Sequence, residues 1–505
     1  MRIGIDVGGT NTDAALIGDD GQVLAGVKRP TTEDVTGGIA SALTALGATR
    51  VSAVMIGTTH FVNALVEAAR LEPVAIVRLG LPATAALPPL VDWPDRLRQV
   101  VEGATYLCHG GCEYDGTPIS ELDPEELRRV ADDIRRRGLR TVAISSAFSP
   151  VSDEHERRAA ELLAAELGPE VHLSLSAEIG RVGLLARESA TIVNAALRPL
   201  ADHTVAAFAE ALRVAGITAP LFLSQNDGTL MDVEQARRYP VATFASGPTN
   251  SMRGAAYLSG LTDCAVVDIG GTTSDVGILV GGFPREAAGE ALVAEVRTNF
   301  RIPDVLSIGI GGGSIVADDG TTGPRSVGFR LTDEALVFGG DTLTATDLAV
   351  AAGLASIGDP ARVAHVSPER PLKLIAERVA EAVDRMRTSP APLPVVLVGG
   401  GSILVDELPG FDDVRRPDHF EVANAVGAAI AQVGGEVDRV FSGPREQVLE
   451  EARGEAIARA ERAGARPGSV RIVDVEELPL AYLPGNATRI RVKAVGDLDL
   501  EKIDA

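Results

Sequence analysis

Asp6-Val7-Gly8-Gly9-Thr10-Asn11-Thr12-Asp13 recurs, at a constant offset of 262 residues, as Asp268-Ile269-Gly270-Gly271-Thr272-Thr273-Ser274-Asp275. Five of the eight positions are identical, and the differing pairs, Val7/Ile269, Asn11/Thr273 and Thr12/Ser274, are conservative in size or polarity. The surroundings repeat as well. Each copy follows an apolar, β-branched run (residues 2–7 and 264–269) and precedes another (residues 14–17 and 276–280) that ends in a turn signal, Asp19-Asp20-Gly21 or Gly281-Gly282. A strand, a Gly-Gly-Thr loop and a second strand, occurring twice, imply a duplicated α/β domain around a central cleft.

A Gly-Gly-Thr turn can wrap an oxyanion with its backbone N–H groups, because glycine lets the main chain approach without a Cβ in the way. One such turn alone is an ordinary hairpin. Two facing acidic copies form a clamp for nucleotide phosphates: Gly8, Gly9, Thr10, Asn11 and Thr12 on one side, Gly270, Gly271, Thr272 and Thr273 on the other, with Asp13 and Asp275 supporting the loops. Asp6 and Asp268 end strands at the loop edge, where a carboxylate holds hydrated Mg²⁺ through its waters or orients a nucleophile. The candidate catalytic groups are therefore Asp6, Asp268, Thr10 and Thr272, with Asp6 and Asp268 as the metal ligands. A third cluster, Gly399-Gly400-Gly401-Ser402, follows a buried-strand pattern at residues 395–398 and begins a new element. Its backbone can pass close to a nucleoside, and a helix N-terminus there would add partial positive charge. A fourth cluster, residues 306–314, reads equally as cleft lining or as a structural turn.

The chain has 505 residues, 45% of them hydrophobic, and 47 Lys+Arg against 70 Asp+Glu give a net charge of −23. That balance argues against nucleic acid or anionic membrane as the main partner. Three cysteines, Cys108, Cys112 and Cys264, rule out a disulfide scaffold and fit a reducing compartment, the cytoplasm. No apolar run approaches the roughly 18 residues of a membrane span, and Met1 leads straight into a strand pattern without a signal-peptide pattern. Cys108-His109-Gly110-Gly111-Cys112 lacks the second Cys/His pair that a structural zinc site requires.

Caps locate helices. Asp123-Pro124-Glu125-Glu126 starts one that stops at Gly138, and residues 152–168 read similarly. Strands follow at residues 141–145, 171–175 and 221–224, and a long helical pattern over 182–214, with Pro199 as a kink position, joins the two halves. The expected division is 1–180, then 181–440 with an inserted region at about 283–360, then a C-terminal appendage of helix and short strands at 441–505.

The order DVGGTNTD, DIGGTTSD and VGGGS is similar to the phosphate-1, phosphate-2 and adenosine motifs of the actin, heat-shock-70 and sugar-kinase ATPase superfamily. Within it, Gly57-Thr58-Thr59-His60-Phe61-Val62-Asn63-Ala64, Arg187-Glu188-Ser189-Ala190-Thr191-Ile192-Val193-Asn194-Ala195, Ser246-Gly247-Pro248, residues 307–314 and Ala423-Asn424-Ala425-Val426-Gly427-Ala428-Ala429 resemble shorter members of the hydantoinase/oxoprolinase A-subunit family. The resemblance implies duplicated actin-like (ribonuclease H-like) ATPase domains. It also implies ATP- and Mg²⁺-dependent opening of a cyclic amide such as a hydantoin, 5-oxoproline or a lactam, in which phosphorylation turns the carbonyl oxygen into a leaving group. A separate B-type subunit often completes that reaction, and an oligomer is compatible with the chain.

Asn424 and Gly427 join the nucleoside-binding set, and Thr58, Thr59, His60, Asn63, Arg187, Glu188 and Asn194, polar groups inside apolar stretches, are the candidate substrate contacts. Two departures stand out. Longer members carry a His before Gly-Thr-Thr where this chain has Ile56, and their cysteine-containing stretch has no counterpart around residues 327–340. A small-molecule kinase and an ATP-switched reactivase or assembly factor are the alternative readings of the same clamp.

Overall fold

The computed structural model describes every residue except 10, 32–34, 49, 288, 481–486 and 501–505. Its sheets carry the duplication down to register. Strand Arg2–Val7 pairs antiparallel with Asn11–Ile17 so that Asp6 lies opposite Asp13, and Cys264–Ile269 pairs with Ser274–Val280 so that Asp268 lies opposite Asp275. The intervening turns match as well: the Gly8 N–H donates to the Asn11 carbonyl at 3.0 Å and the Gly270 N–H to the Thr273 carbonyl at 2.9 Å. A parallel strand adjoins each first strand, Ala53–Thr58 in one half and Val395–Val398 in the other, with Asp6 beside Gly57 and Asp268 beside Val398. The segments that follow, Thr58-Thr59-His60 and Gly399-Gly400-Gly401, therefore occupy corresponding places, a relation invisible in their residue types. The duplicated α/β architecture expected from the repeat is the one found.

A nine-stranded sheet holds the first loop and a six-stranded sheet the second, while a four-stranded parallel sheet gathers Val74–Leu81, Glu102–His109, Thr141–Ser146 and His172–Leu175. One continuous helix, Leu184–Val214, runs through Pro199 and serves two of these sheets. Its first half packs Ile192, Val193 and Leu197 with Ile76 and Trp93, and its second half packs Val205, Phe208 and Leu212 with Ile5 and Ile56. The Asp123 carboxylate caps helix Pro124–Arg137 by accepting the N–H groups of Glu125 and Glu126, and Gly138 closes it at φ 67°.

The C-terminal strands expected as an appendage belong to the first sheet. Strands Arg471–Pro479 and Thr488–Gly496 extend the nine-stranded sheet beyond Gln432–Phe441. The alternation of Thr488–Gly496 explains why: Ile490, Val492 and Ala494 pack with Ala452, Ala456 and Ala460 of helix Arg445–Arg462. Arg489, Arg491 and Lys493 meet carboxylates of Asp438, Glu286 and Asp227. The segment around residues 283–303 joins this network through Glu286, which pairs with Arg491, and through Arg301, which pairs with Glu286, Glu436 and Asp438 at 3.1, 3.0 and 2.6 Å. The sheets also cut across the expected boundaries at 180 and 440, because the nine-stranded sheet draws strands from residues 2–58, 221–232 and 432–496. Among the described residues, no helix is long and apolar enough to cross a membrane.

Candidate functional site

Two helices cross between the halves with their backbones in contact. Ser246–Ser259 packs Met252 and Ala255 on Val266 and Val398, and Ala423–Ala429 packs Ala425 and Ala429 on Ala15 and Ile17. Glycines make the crossing this close: a Cβ at Gly254 would fall 1.9 Å from the Ala423 carbonyl oxygen, and one at Gly427 only 1.8 Å from that of Asn250. The crossing aims a polar side chain at each leading acid. Asn424 Nδ2 donates to Asp6 at 3.0 Å and to Asp13 at 2.9 Å, while the Ser251 hydroxyl donates to Asp268. The trailing acids have their own holders: Lys28 Nζ lies 2.9 Å from the Asp13 carboxylate, and the Ser307 hydroxyl donates to Asp275.

Burial is the main force on both leading carboxyls. It pushes Asp6 up to about 7, with the negative charges of Asp13 and Asp268 adding to the rise and the Asn424 amide opposing it. It pushes Asp268 up to about 6, against the Ser251 hydrogen bond. Each half therefore feels the other's charge. Asp6 Oδ1 and Asn250 Oδ1 are buried oxygens without a hydrogen-bond donor. Gly57 lets them gather, since a Cβ there would meet Asn250 Nδ2 at 2.4 Å and Asp6 Oδ1 at 2.5 Å. Buried polar atoms left open in this way fit a hydrated hard cation, which takes oxygen ligands and keeps most of its waters. Among the described residues no three His, Cys, Asp or Glu side chains form a metal cage, so such a cation would rely on water and phosphate oxygens for its remaining ligands.

A pH dependence follows. A carboxyl with a raised folded pKa binds its proton more tightly in the folded than in the unfolded state, so the Asp6 carboxyl takes stability from the nucleotide-free protein as pH rises from about 4 to about 7. The expected loss is about 1.4 kcal/mol for each pH unit crossed in that interval. Thermal midpoints of wild type and Asp6→Asn, compared from pH 5 to 8, check it: the variant gains on wild type as pH rises, and a constant gap contradicts the assignment.

The second glycine of each loop is not there for the turn. Neither Gly9 nor Gly271 has left-handed backbone, and a Cβ on either would meet nothing within 4 Å. Thr272 and Thr273 are exposed at the tip of the second loop, whereas Thr10 lies outside the described residues. Gly400 is equally open, but its neighbours are packed: a Cβ on Gly401 would fall 2.7 Å from the Gly270 carbonyl oxygen and one on Gly399 2.2 Å from Asp268 Oδ1. The fourth glycine cluster backs the same loop, with the Gly312 and Gly313 N–H groups donating to the Gly270 and Gly271 carbonyls at 2.9 and 2.7 Å. The α-helix N-terminus expected after Gly399 is instead a five-residue 3-10 turn, Gly400–Leu404, and Ser402 is buried in it. Gly271→Ala is expected to leave the thermal midpoint unchanged and to weaken nucleotide binding at least tenfold by calorimetry, because the added methyl occupies only the open space of the loop.

Residues 2–167 match the N-terminal region of the hydantoinase/oxoprolinase proteins, and residues 187–358 match the hydantoinase/oxoprolinase domain that follows it. The chain belongs to the hydantoinase/oxoprolinase family. Its relatives there include the caprolactamase subunit alpha of Pseudomonas jessenii, 28% identical over 85% of this chain and 65% of that protein. The acetophenone carboxylase gamma subunit of Aromatoleum aromaticum is 26% identical over 70% of this chain and 53% of that protein. The chain thus spans less than two thirds of the length of these curated relatives. The crystal structure of the P. jessenii ATP-dependent caprolactamase shares the fold with a TM-score of 0.77 at 21% identity, covering 99% of this chain and 88% of that one. Nucleotide-free acetone carboxylase shares it at 0.67 and 18% identity, with the same coverage.

In this hydantoinase/oxoprolinase chain the substrate candidates divide. Thr58, Thr59, His60 and Asn63 cluster where strand Ala53–Thr58 ends: Thr58 Oγ1 lies 2.7 Å from His60 Nδ1, Asn63 donates to Thr59 Oγ1 at 3.3 Å, and the Thr59 N–H donates to the Val7 carbonyl at 3.3 Å. Burial, reinforced by Arg70, pushes His60 down to about 4, so its imidazole is neutral at pH 7. Arg187, Glu188 and Asn194 are elsewhere, buried and committed to protein partners. Arg187 donates to Ser176 Oγ and the Arg181 and Ser146 carbonyls, Glu188 accepts from Arg78 and Ser145, and Asn194 donates to Ser174 Oγ and the Arg238 carbonyl. These polar groups tie the long helix to the four-stranded sheet. Thr12 is likewise interior, its hydroxyl 3.2 Å from that of Thr31, and Gly427 serves the helix crossing rather than a nucleoside. Sequence reading missed Lys28, Asn250 and Ser251, and had Ser307 only as part of the fourth glycine cluster; the signal for two of them was the helix that opens with Ser246-Gly247-Pro248, which continues through Asn250-Ser251.

Proposed function

We propose that this chain is the ATP-using component of a cyclic-amide hydrolase, activating the carbonyl of a hydantoin, oxoproline or lactam for ring opening. The observation that carries the reading is the matched pair of loops, in which Asp6 feels the charge of Asp268 across the halves while Gly9 and Gly271 face open space. An unstrained amide is a poor electrophile, so consuming ATP to convert its oxygen into a leaving group is chemically sensible, and a clamp contributes positioning and charge neutralisation. Gly8, Gly9, Asn11, Gly270, Gly271, Thr272 and Thr273 would cradle the phosphates, with Gly400 beside the nucleoside. Asp6, with Asn250 and Asp268, would hold Mg²⁺ through its waters; when bound, that ion supplies neutralisation of phosphoryl charge. Asn424 and Ser251 keep the two leading carboxylates in place, and the neutral His60 with Thr58 and Thr59 offers hydrogen bonds beside the first loop.

A second reading has an observation behind it, since relatives include subunits named for acetophenone and acetone carboxylation, whose substrates are ketones. Both readings share carbonyl activation. Those relatives are subunits, as is the caprolactamase alpha chain, which supports a separate partner subunit in either case. Phosphate release with Mg²⁺ and ATP, measured with and without a co-purified partner against lactams, hydantoins, imides and ketones, tests it. Stimulation by cyclic amides with an opened-ring product supports the hydrolase; stimulation by ketones alone replaces it with the second reading. A stable phosphorylated product makes the chain a kinase.

A further inference from the structure

The two halves hold their trailing acids at the same register position with different chemistry. In the second half, Asp275 lies opposite Ser307 on the neighbouring strand Val305–Ile308, and the serine hydroxyl donates to it. In the first, Asp13 lies opposite Lys28 on strand Val23–Pro30, and the lysine ammonium lies 2.9 Å from it. A neutral hydroxyl is therefore enough to hold an acid at this position, and the charge in the first half needs another reason.

Three features supply one. The Asp13 side chain is 5% exposed but that of Lys28 is 39% exposed, so the ammonium has one side on a buried acid and the other free. Among the described residues, Lys28 makes the one ion pair to any of Asp6, Asp13, Asp268 and Asp275. Its charge also reaches across the halves, where it opposes the rise of Asp268.

We propose that Lys28 is the cation that meets the terminal phosphate of the bound nucleotide and stabilises the phosphoryl group during its transfer. The inference rests on the nucleotide reading above. A flexible stem carrying a compact point charge suits this task, since the ammonium can keep Asp13 within reach and turn one proton toward a phosphate oxygen. The terminal phosphate brings its own negative charge to a site already lined by Asp6, Asp13, Asp268 and Asp275, and it carries the charge that changes in the reaction.

The test is Lys28→Ser, which installs the other half's solution for holding the acid, alongside Lys28→Arg. Binding of Mg·ADP and of a non-hydrolysable Mg·ATP analogue is measured by calorimetry, together with thermal midpoints. Lys28→Ser is expected to keep its midpoint and its ADP affinity, to lose at least tenfold in the preference for the triphosphate, and to turn over about 10² to 10³ times more slowly. Lys28→Arg restores part of the triphosphate preference. Equal losses for ADP and the ATP analogue, or no loss for either, overturn the proposal and leave Lys28 a structural partner of Asp13. If wild type binds neither nucleotide, the nucleotide reading itself has failed.

Discussion

Asp268→Asn is expected to cut substrate-dependent phosphate release about 10³-fold or more while raising the thermal midpoint of the nucleotide-free protein above pH 6. The two effects have one cause. Burial, and the nearby charge of Asp275, hold the folded Asp268 carboxyl at about 6, above its unfolded value of 3.8, so above pH 6 the folded state carries an ionised group that its surroundings disfavour. Asparagine fits the same space, its amide oxygen still accepts from Ser251, and the disfavoured charge is gone. A gain in stability with a loss of activity marks a group retained for chemistry at the expense of the fold. The pair is measured by phosphate release on the lactams, hydantoins, imides and ketones and by thermal melts at pH 5 and pH 8. A variant that loses activity and stability together would instead make Asp268 a structural residue.

Gly427→Val is expected to destabilise the protein by about 3 kcal/mol or more, read as a lower urea midpoint or as loss of folded protein. A Cβ at that position would sit 1.8 Å from the Asn250 carbonyl oxygen, on backbone that cannot rotate out of the way. The helices must then separate. Because Asn424 lies on one and Asn250 and Ser251 on the other, the strain reaches both leading acids, and any folded fraction binds nucleotide poorly. Gly271→Ala is the matched control, an added methyl in open space that changes binding without changing stability. If both glycine variants behave alike, packing and ligand space have not been separated.

The repeat at Asp6 and Asp268 made the core of the fold readable, because a strand–turn–strand with an acid at each end is local and its eight residues carry its geometry. Helix ends at Asp123 and Gly138 were readable for the same reason. The C-terminal strands were not: Arg489, Arg491 and Lys493 look like solvent-facing residues until Asp438, Glu286 and Asp227, from three separate parts of the chain, are seen to pair with them. Arg187, Glu188 and Asn194 misled in the opposite direction. Polar residues in an apolar helix are a ligand pattern and also a buried-network pattern, and their partners at Arg78, Ser145 and Ser174 decide which.

The site shows the same division. Its acids and glycines stand next to one another in sequence, so the sequence by itself determined which residues form the loops and that there are two of them. Their holders come from across the chain: Asn424 reaches Asp6 over 418 positions and Ser251 reaches Asp268 from a different element. No periodicity or spacing encodes such a contact, because it depends on two helices crossing at Gly254 and Gly427. Only the tertiary structure decided that crossing, and with it the pairing of the two loops and the position of Lys28 beside them, since each depends on backbones remote in sequence coming within van der Waals contact.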